Sequence, residues 1–369
     1  MNKTNKKIKL YILIPNLNMG GAERVVVTLL RFLDINKFDC NLVVLTGKDG
    51  VLSENIPKNI SITWLKKSRV LFSLPILIKL LWKKRPQILF SNLSYLNLLL
   101  ATIRFLLPKN TKIIVRESSL ISINNLEYRF EIIWRYFYKI FYKNVDLIIC
   151  QSKEMQNDII QNFCVPADKT VKIFNPVDVK FIKSKSKYKL NEIKKYFHTD
   201  HFNFIYVGAL RKQKHVDRIL FALSKINNIY LHVIGNGTEM SELIVLSQRL
   251  RLNQRINFVG FQANPYRWLK LADALILSSD FEGLPNVVLE ALALKIPVIS
   301  TSAPGGVCEI LKDQKGCVIS DDLTSQSLEK AILTWINMKK RKVSQNTINK
   351  YRAEYITPLY EKQFLSLIK

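Results

Sequence analysis

Glu282 and Glu290 stand eight positions apart in residues 281–290, FEGLPNVVLE, on either side of a Gly-Leu-Pro-Asn turn. Carboxylates accept hydrogen bonds from hydroxyl groups. A turn that opens a helix presents unpaired amides and a positive dipole end to an anion. Eight residues, if mostly helical, span roughly two turns, about 11 Å, comparable with the reach of a nucleotide diphosphate. The pattern fits a ligand with phosphates between two hydroxyl-bearing ends, one glutamate on a sugar and the other on a ribose. The plainer alternative is an ordinary βα turn with two solvated acids.

Residues 207–220, VGALRKQKHVDRIL, place Arg211, Lys212 and Lys214 after a turn of small residues. Cations there could neutralise the charge that builds on a departing nucleoside diphosphate, work otherwise given to a divalent metal; a solvated basic loop is the alternative. Gly20 and Gly21, in residues 16–30, NLNMGGAERVVVTLL, let the backbone turn sharply and offer amides at a helix start, a nest for phosphate. G-x-G-x-x-G is absent and the second strand ends in Thr46 and Gly47 instead of an acid, which disfavours a dinucleotide-dependent oxidoreductase. There is no D-x-D motif, and His198, His201, His215 and His232 are not spaced as a site, so the expected chemistry runs without a tightly bound metal. KIIVRESS puts Arg116 and Glu117 at a strand end, to orient acceptor or donor sugar or to pair structurally.

The elements that must position these residues follow a repeated rhythm. Residues 9–15, 40–46, 87–92, 112–117 and 146–152 read as buried strands with helical stretches between several of them. Residues 171–178 end this half with a short strand and a turn. Residues 181–200, FIKSKSKYKLNEIKKYFHTD, are Lys-rich and weakly apolar, as expected of an exposed connector. Strand-like runs then restart at 203–210, 229–237, 256–261, 272–279 and 297–303, with VVLEALAL at 287–294 in helical spacing. This predicts an α/β chain of two Rossmann-like, doubly wound domains facing a cleft, over 1–180 and 181–354. The closing residues 350–369 carry an expected break at Pro358 and an amphipathic end.

The segments together resemble retaining glycosyltransferases of family 4, which have the two-domain GT-B fold. The resemblance rests on E-x7-E at 282–290, on GGAE at 20–23 and on a likeness of 208–215 to G-R-L-x-x-x-K-G, and it runs with gaps from Leu10 to Leu294. It implies that Glu282 contacts the donor sugar and Glu290 the ribose, with Gly283, Leu284, Pro285 and Asn286 near the diphosphate. It places Gly20 and Gly21 by the diphosphate and acceptor, Gly208 in the turn that leads to Lys214, Lys214 on the leaving group, and Gly260 and Phe261 beside the base. Glu309, in the final glycine-rich turn and helix, would cap or pack, and residues 355–369 would cross back to the first domain.

Three departures stand out. Ala209 replaces the family's arginine, which makes Arg211 a candidate substitute; His215 replaces the last glycine; and Arg116 and Glu117 stand where a histidine is frequent. The implied activity is retaining transfer of a hexose or N-acetylhexosamine from a nucleotide-diphosphate sugar, UDP first, to a hydroxyl of a lipid-linked oligosaccharide. A GT-B sugar-nucleotide epimerase is the nearer alternative, and a basic nucleic-acid- or membrane-binding module the more distant one.

Composition is consistent with this frame. A chain of 369 residues exceeds the usual single core, and its net charge of +27 favours anionic partners. No zinc pattern, helix-turn-helix signature or RNP-type strand supports nucleic acid. Five cysteines without a C-x-x-C pair suggest reduced thiols in a cytoplasm, and the short apolar run after the basic amino terminus suits neither a signal peptide nor a span. Residues 128–146 mix Trp134, Tyr138 and Phe141 with Arg135, Lys139 and Lys143, and residues 70–86 end in Lys83, Lys84 and Arg85. Both suit either core helices or helices lying in a membrane interface, the latter expected of a peripheral protein on the inner face of the cell membrane.

Overall fold

Parallel strands buried on both faces read as continuous aliphatic runs, and here each such run is followed by a helical stretch that can cover it. In the computed structural model, which describes residues 7–18, 20–47, 49–124, 131–339, 341 and 343–368, the chain divides into two compact units. One is Met1–Pro176 with Ala353–Lys369, the other Val177–Arg352. Among the described residues no helix is long and apolar enough to cross a membrane.

The first unit holds seven strands: β1 (Ile8–Ile14), β2 (Phe38–Thr46), β3 (Ser61–Lys67), β4 (Ile88–Ser91), β5 (Lys112–Arg116), β6 (Leu147–Cys150) and β7 (Thr170–Lys172). Their order is β3-β2-β1-β4-β5-β6-β7, every pair parallel. The direction of winding reverses between β1 and β4, and the crevice beyond the carboxyl ends of such a strand pair is where open α/β sheets take ligands. Sequence reading missed β3, an edge strand whose alternating, Lys-ended SITWLKK is only partly buried.

One face of this sheet packs Leu10, Ile12, Leu42 and Val44 against the helix Gly21–Phe32 and the carboxyl-terminal helix Ala353–Ser366. Phe364 meets Phe38 and Phe90 edge-on at 5.9 and 5.6 Å. Glu361 binds Lys37 Nζ at 3.1 Å and accepts from the Asp34 amide at 2.8 Å. The expected break at Pro358 does not occur: the helix continues through it. Burial of Ile356, Tyr360 and Phe364 outweighs the one intrahelical bond that proline removes.

The second unit holds β8 (Phe202–Val207), β9 (Ile229–Ile234), β10 (Ile256–Gly260), β11 (Ala274–Leu277), β12 (Val298–Ser300) and β13 (Val318–Ile319). The order is β10-β9-β8-β11-β12-β13, again parallel, with the reversal between β8 and β11. At two residues, β13 is too short to show a period. The expected connector at 181–200 is instead folded onto this unit. Asp178 caps the helix Val179–Lys187 through the Phe181 amide at 2.9 Å, and Val179, Ile182 and Ser186 are buried. Phe181 lies 6.3 Å from the Tyr266 ring. The inward stripe is only one residue wide, so lysines dominate the composition and hide it.

Candidate active site

The reversal in the second unit brings together two loops that are far apart in sequence. The chain leaves β8 through Gly208 into the 3-10 turn Lys212–Lys214, and leaves β11 through Ser278, Ser279 and Asp280. Lys214 Nζ binds Glu282 Oε1 at 2.6 Å, and Ser279 Oγ donates to the same oxygen at 2.7 Å. Both partners keep some access to solvent, with side chains 21% and 11% exposed. They are therefore neither fully desolvated nor screened as a surface pair would be.

Several further bonds lace the loops. The Gln213 side chain donates to the Phe281 carbonyl at 2.9 Å, and the Asp280 amide to the Gln213 carbonyl at 2.9 Å. Ser278 Oγ reaches the carbonyls of Lys214 and His215 at 2.9 and 2.6 Å. His215 Nε2 lies 2.9 Å from Asp280 and its Nδ1 3.2 Å from Asp217, while Arg218 holds the other Asp280 oxygen at 2.7 Å. His215 has a φ of 43°, a left-handed conformation that a glycine takes at no steric cost. The histidine that departs from the family pattern is thus the residue that ties the lysine loop to the glutamate loop. Sequence reading set His215 aside with the other histidines, since nothing in the spacing shows that Asp280 lies beside it.

Behind Glu282 stands the glycine-rich turn at 302–306. The Glu282 amide donates to the Pro304 carbonyl at 2.9 Å and the Gly306 amide to the Gly283 carbonyl at 2.6 Å. Gly305 has a φ of 114°, and a Cβ there would lie 1.7 Å from the Glu282 carbonyl oxygen. Only glycine fits. Glu309 follows in the short helix Val307–Leu311.

The helix after the turn begins only at Asn286 and runs to Ala293. The stretch from Glu282 to Glu290 is therefore part loop and part helix, not mostly helical as the 11 Å estimate assumed. Gly283, Leu284 and Pro285 form the turn, with Leu284 buried. Glu290 is buried on the helix and accepts from the Tyr266 hydroxyl at 3.4 Å. Gly208, Gly235 and Gly260 sit together at the ends of β8, β9 and β10, the Gly235 amide donating to the Gly260 carbonyl at 2.9 Å; Phe261 is exposed beside them. Arg211 lines, with Lys212, His215, Asp217, Glu239 and Arg249, an open pocket of about 550 Å³ beside the helix Met240–Arg249.

In the first unit Gly20 caps the helix Gly21–Phe32, and Met19 lies outside the described residues. The Asn92 amide group, just past β4, donates to the Ala22 carbonyl at 2.6 Å and fixes this loop at the reversal point. A carboxylate already covers the glycine: a Cβ on Gly20 would lie 2.1 Å from Glu23 Oε2. Burial raises the Glu23 carboxyl above its ordinary pKa.

Arg116 and Glu117 point to opposite sides, as neighbours along a strand do. Arg116 is fully buried and donates to Asn175. Glu117, equally buried, accepts from Ser94 at 2.5 Å, from Asn97 at 2.6 Å and from the Tyr142 hydroxyl. Burial pushes its pKa up to about 7, against the pull of the Ser94 and Asn97 bonds. Both oxygens of Glu117 are taken up inside the unit.

Comparison with known proteins agrees with this architecture. The family model described as Glycosyltransferase Family 4 matches residues 19–181, and that described as Glycosyl transferases group 1 matches residues 189–353. An undecaprenol-diphosphate-linked-sugar 4-alpha-N-acetylgalactosaminyltransferase of Campylobacter jejuni is 26% identical over 358 residues, covering 94% of this chain and 95% of its own length. The lipopolysaccharide 1,6-galactosyltransferase of Escherichia coli K12 is 31% identical over 169 residues, 43% of this chain and 47% of that protein. Among solved structures, Anabaena HepE in complex with UDP and glucose superposes with a TM-score of 0.78 over 97% of this chain and 100% of its own, at 18% identity.

The chain thus joins a Glycosyltransferase Family 4 domain to a Glycosyl transferases group 1 domain, in the GT-B fold. It is a glycosyltransferase. These matches do not favour the epimerase reading.

Proposed function

We propose that the enzyme moves a hexose or N-acetylhexosamine from a UDP-sugar to a hydroxyl of a lipid-linked oligosaccharide, with retention at the anomeric carbon and without a tightly bound metal. The observation that carries this reading is the Lys214–Glu282 pair, seated where the winding of the second sheet reverses. UDP in the HepE complex and the undecaprenol-diphosphate acceptor in the name of the Campylobacter relative support the choice of donor and acceptor.

In this mechanism the donor diphosphate competes with Glu282 for Lys214. The ammonium stabilises the phosphate as the bond from the anomeric carbon to the phosphate oxygen breaks. Released from the lysine, Glu282 accepts from sugar hydroxyls while Ser279 keeps its bond to Oε1. Glu290 takes the ribose hydroxyls, the turn at 283–286 lies along the diphosphate, and Gly260 and Phe261 flank the base. Arg211 lends charge to the phosphates from its neighbouring pocket. The acceptor oxygen forms the new bond on the face that the phosphate leaves, and its proton passes to a phosphate oxygen of the departing UDP. In the first unit Gly20 and Gly21 serve the acceptor once Glu23 swings aside. Arg116 and Glu117 shape the acceptor side from within, as positioning residues. The protein works peripherally at the inner face of the cell membrane, where such acceptors are anchored.

A panel of UDP-sugars incubated with the enzyme and a membrane lipid extract, followed by mass analysis, tests the proposal. A lipid-linked product heavier by one sugar residue, formed with one donor and accompanied by UDP, supports it. A UDP-sugar altered in configuration with no acceptor consumed, or no turnover of any donor, contradicts it.

A further inference from the structure

The first unit carries a surface that neither its core nor the sugar-transfer chemistry uses. Along the helix Val70–Lys84, Leu71, Phe72, Ile76 and Trp82 are exposed, while Ser73, Leu77 and Leu81 turn inward. At about 100° per residue the four exposed apolar positions share one stripe with Lys79 and Lys83. The turn Arg104–Leu106 extends it: the Trp82 indole donates to the Leu106 carbonyl at 2.9 Å, and Phe105 is 80% exposed.

The helix Ser94–Thr102 leads into that turn and docks the helix Glu131–Phe141 through a bond from the Tyr138 hydroxyl to the Ser94 carbonyl at 3.1 Å. That helix adds a second apolar face. Its composition matches the expected one only in part: Trp134 is exposed, Tyr138 is buried against Phe163, and Ile132, Ile133, Tyr136 and Phe137 face out, Ile132 at 82%. Residues 125–130, at the start of the expected segment, lie outside the described residues. Apolar area on this scale marks a surface that something else covers.

Charge decides what covers it. Lys79, Lys83, Lys84 and Arg85 are exposed on and just after the helix Val70–Lys84, and from residue 55 to residue 116 the sequence has no Asp or Glu to offset them. A second copy of this chain would set lysine against lysine. A nucleic acid would meet the cations and leave Leu71, Ile76 and Ile132 in water. A bilayer with anionic headgroups satisfies both, rings and aliphatic chains at the acyl boundary and ammonium groups among the phosphates.

We propose that this face docks the first unit on an anionic phospholipid bilayer. The inference rests on the lipid-linked-acceptor reading for its purpose, and on its own residues for its existence. The test is flotation of the full chain with vesicles of phosphatidylcholine, alone or mixed with phosphatidylglycerol. Binding is expected to the mixed vesicles, weakening as salt rises. The combined variant Lys83→Glu, Lys84→Glu, Arg85→Glu loses roughly a hundredfold in affinity for them. The combined variant Phe72→Ser, Ile76→Ser, Phe105→Ser loses about tenfold or more. All altered side chains are exposed, and a melting curve confirms that each variant is folded.

Failure of the wild type to float with mixed vesicles overturns the proposal, as does flotation of both folded variants like the wild type. A lipid-free dimer that the apolar variant dissociates overturns it in favour of self-association. With detergent-dispersed acceptor the variants transfer sugar at the wild-type rate. Vesicle binding without any transfer in detergent supports the docking face and contradicts the transfer reading alone.

Discussion

At the reversal point of the second unit, Lys214 and Glu282 meet at 2.6 Å within reach of solvent. At the equivalent place in the first unit, Gly20 lies under the Glu23 carboxylate, Asn92 is spent on the Ala22 carbonyl, and Glu117 is sealed among Ser94, Asn97 and Tyr142. Both sheets are wound by the same rule, yet one leaves a charged pair within reach of solvent and the other uses its polar groups to hold itself together. The difference shows that a switch point gives a location for a site without dictating its chemistry. The side chains left unspent by internal bonding do that. In the first unit, what remains unspent is backbone and an exposed apolar and cationic face.

The comparison can be broken most strongly at Lys214. Lys214→Ala removes the cation from the leaving group and should lower kcat by about 10²–10³-fold, read from steady-state transfer rates; a value near wild type would place the chemistry elsewhere. His215→Ala keeps the lysine but cuts the tie to Asp280 and leaves a left-handed backbone without its compensating bonds. A rise of about tenfold in donor KM, with a smaller fall in kcat, is expected. His215→Gly should recover part of the loss by relieving the left-handed backbone, and the part it does not recover measures the lost tie to Asp280.

In the first unit the expected effect is on stability. Glu117 has its folded pKa raised to about 7, so the protonated form is favoured by folding. Its contribution is present below the ordinary carboxylate range and is lost as pH rises through about 7. Unfolding free energy should therefore decline between about pH 5 and pH 8, by about 1.4 kcal/mol per pH unit at most from this group. Glu117→Gln should flatten that slope in denaturant titrations at several pH values. Arg211→Ala should give the smallest change, a rise in donor KM of a few-fold, because Arg211 is exposed in an open pocket where solvent screens its charge.

Much of the fold was legible because parallel strands buried on both faces are unbroken aliphatic runs, from Leu10 in β1 to Ile299 in β12. What escaped was what tertiary packing decides. The strand β3 sits at a half-exposed edge; the helix Val179–Lys187 buries one narrow stripe beneath its lysines; Pro358 is carried by the contacts of its neighbours. In the site, Lys214 and Glu282 were each visible in a local motif. Their pairing was not, since it depends on β8 lying beside β11 across more than sixty residues of intervening chain. Ser279, Asp280 and His215 are ordinary residues in sequence and became legible only when the two loops met. Exposure of Ile132 and Ile133 in place of Tyr138 likewise depends on which side of the helix meets Phe163 and Ser94.

In the proposed mechanism Glu282 acts on the reacting sugar while Glu290 holds the nucleotide. Single-turnover transfer from a saturating UDP-sugar, measured with wild type, Glu282→Gln and Glu290→Gln alongside donor affinity by calorimetry, tests it most directly. The account predicts that Glu282→Gln slows transfer by about 10²–10³-fold with donor affinity changed by less than about threefold, and that Glu290→Gln weakens the donor while transfer from the bound state stays near wild type. Wild-type transfer by Glu282→Gln, or undiminished donor affinity in Glu290→Gln, would contradict it.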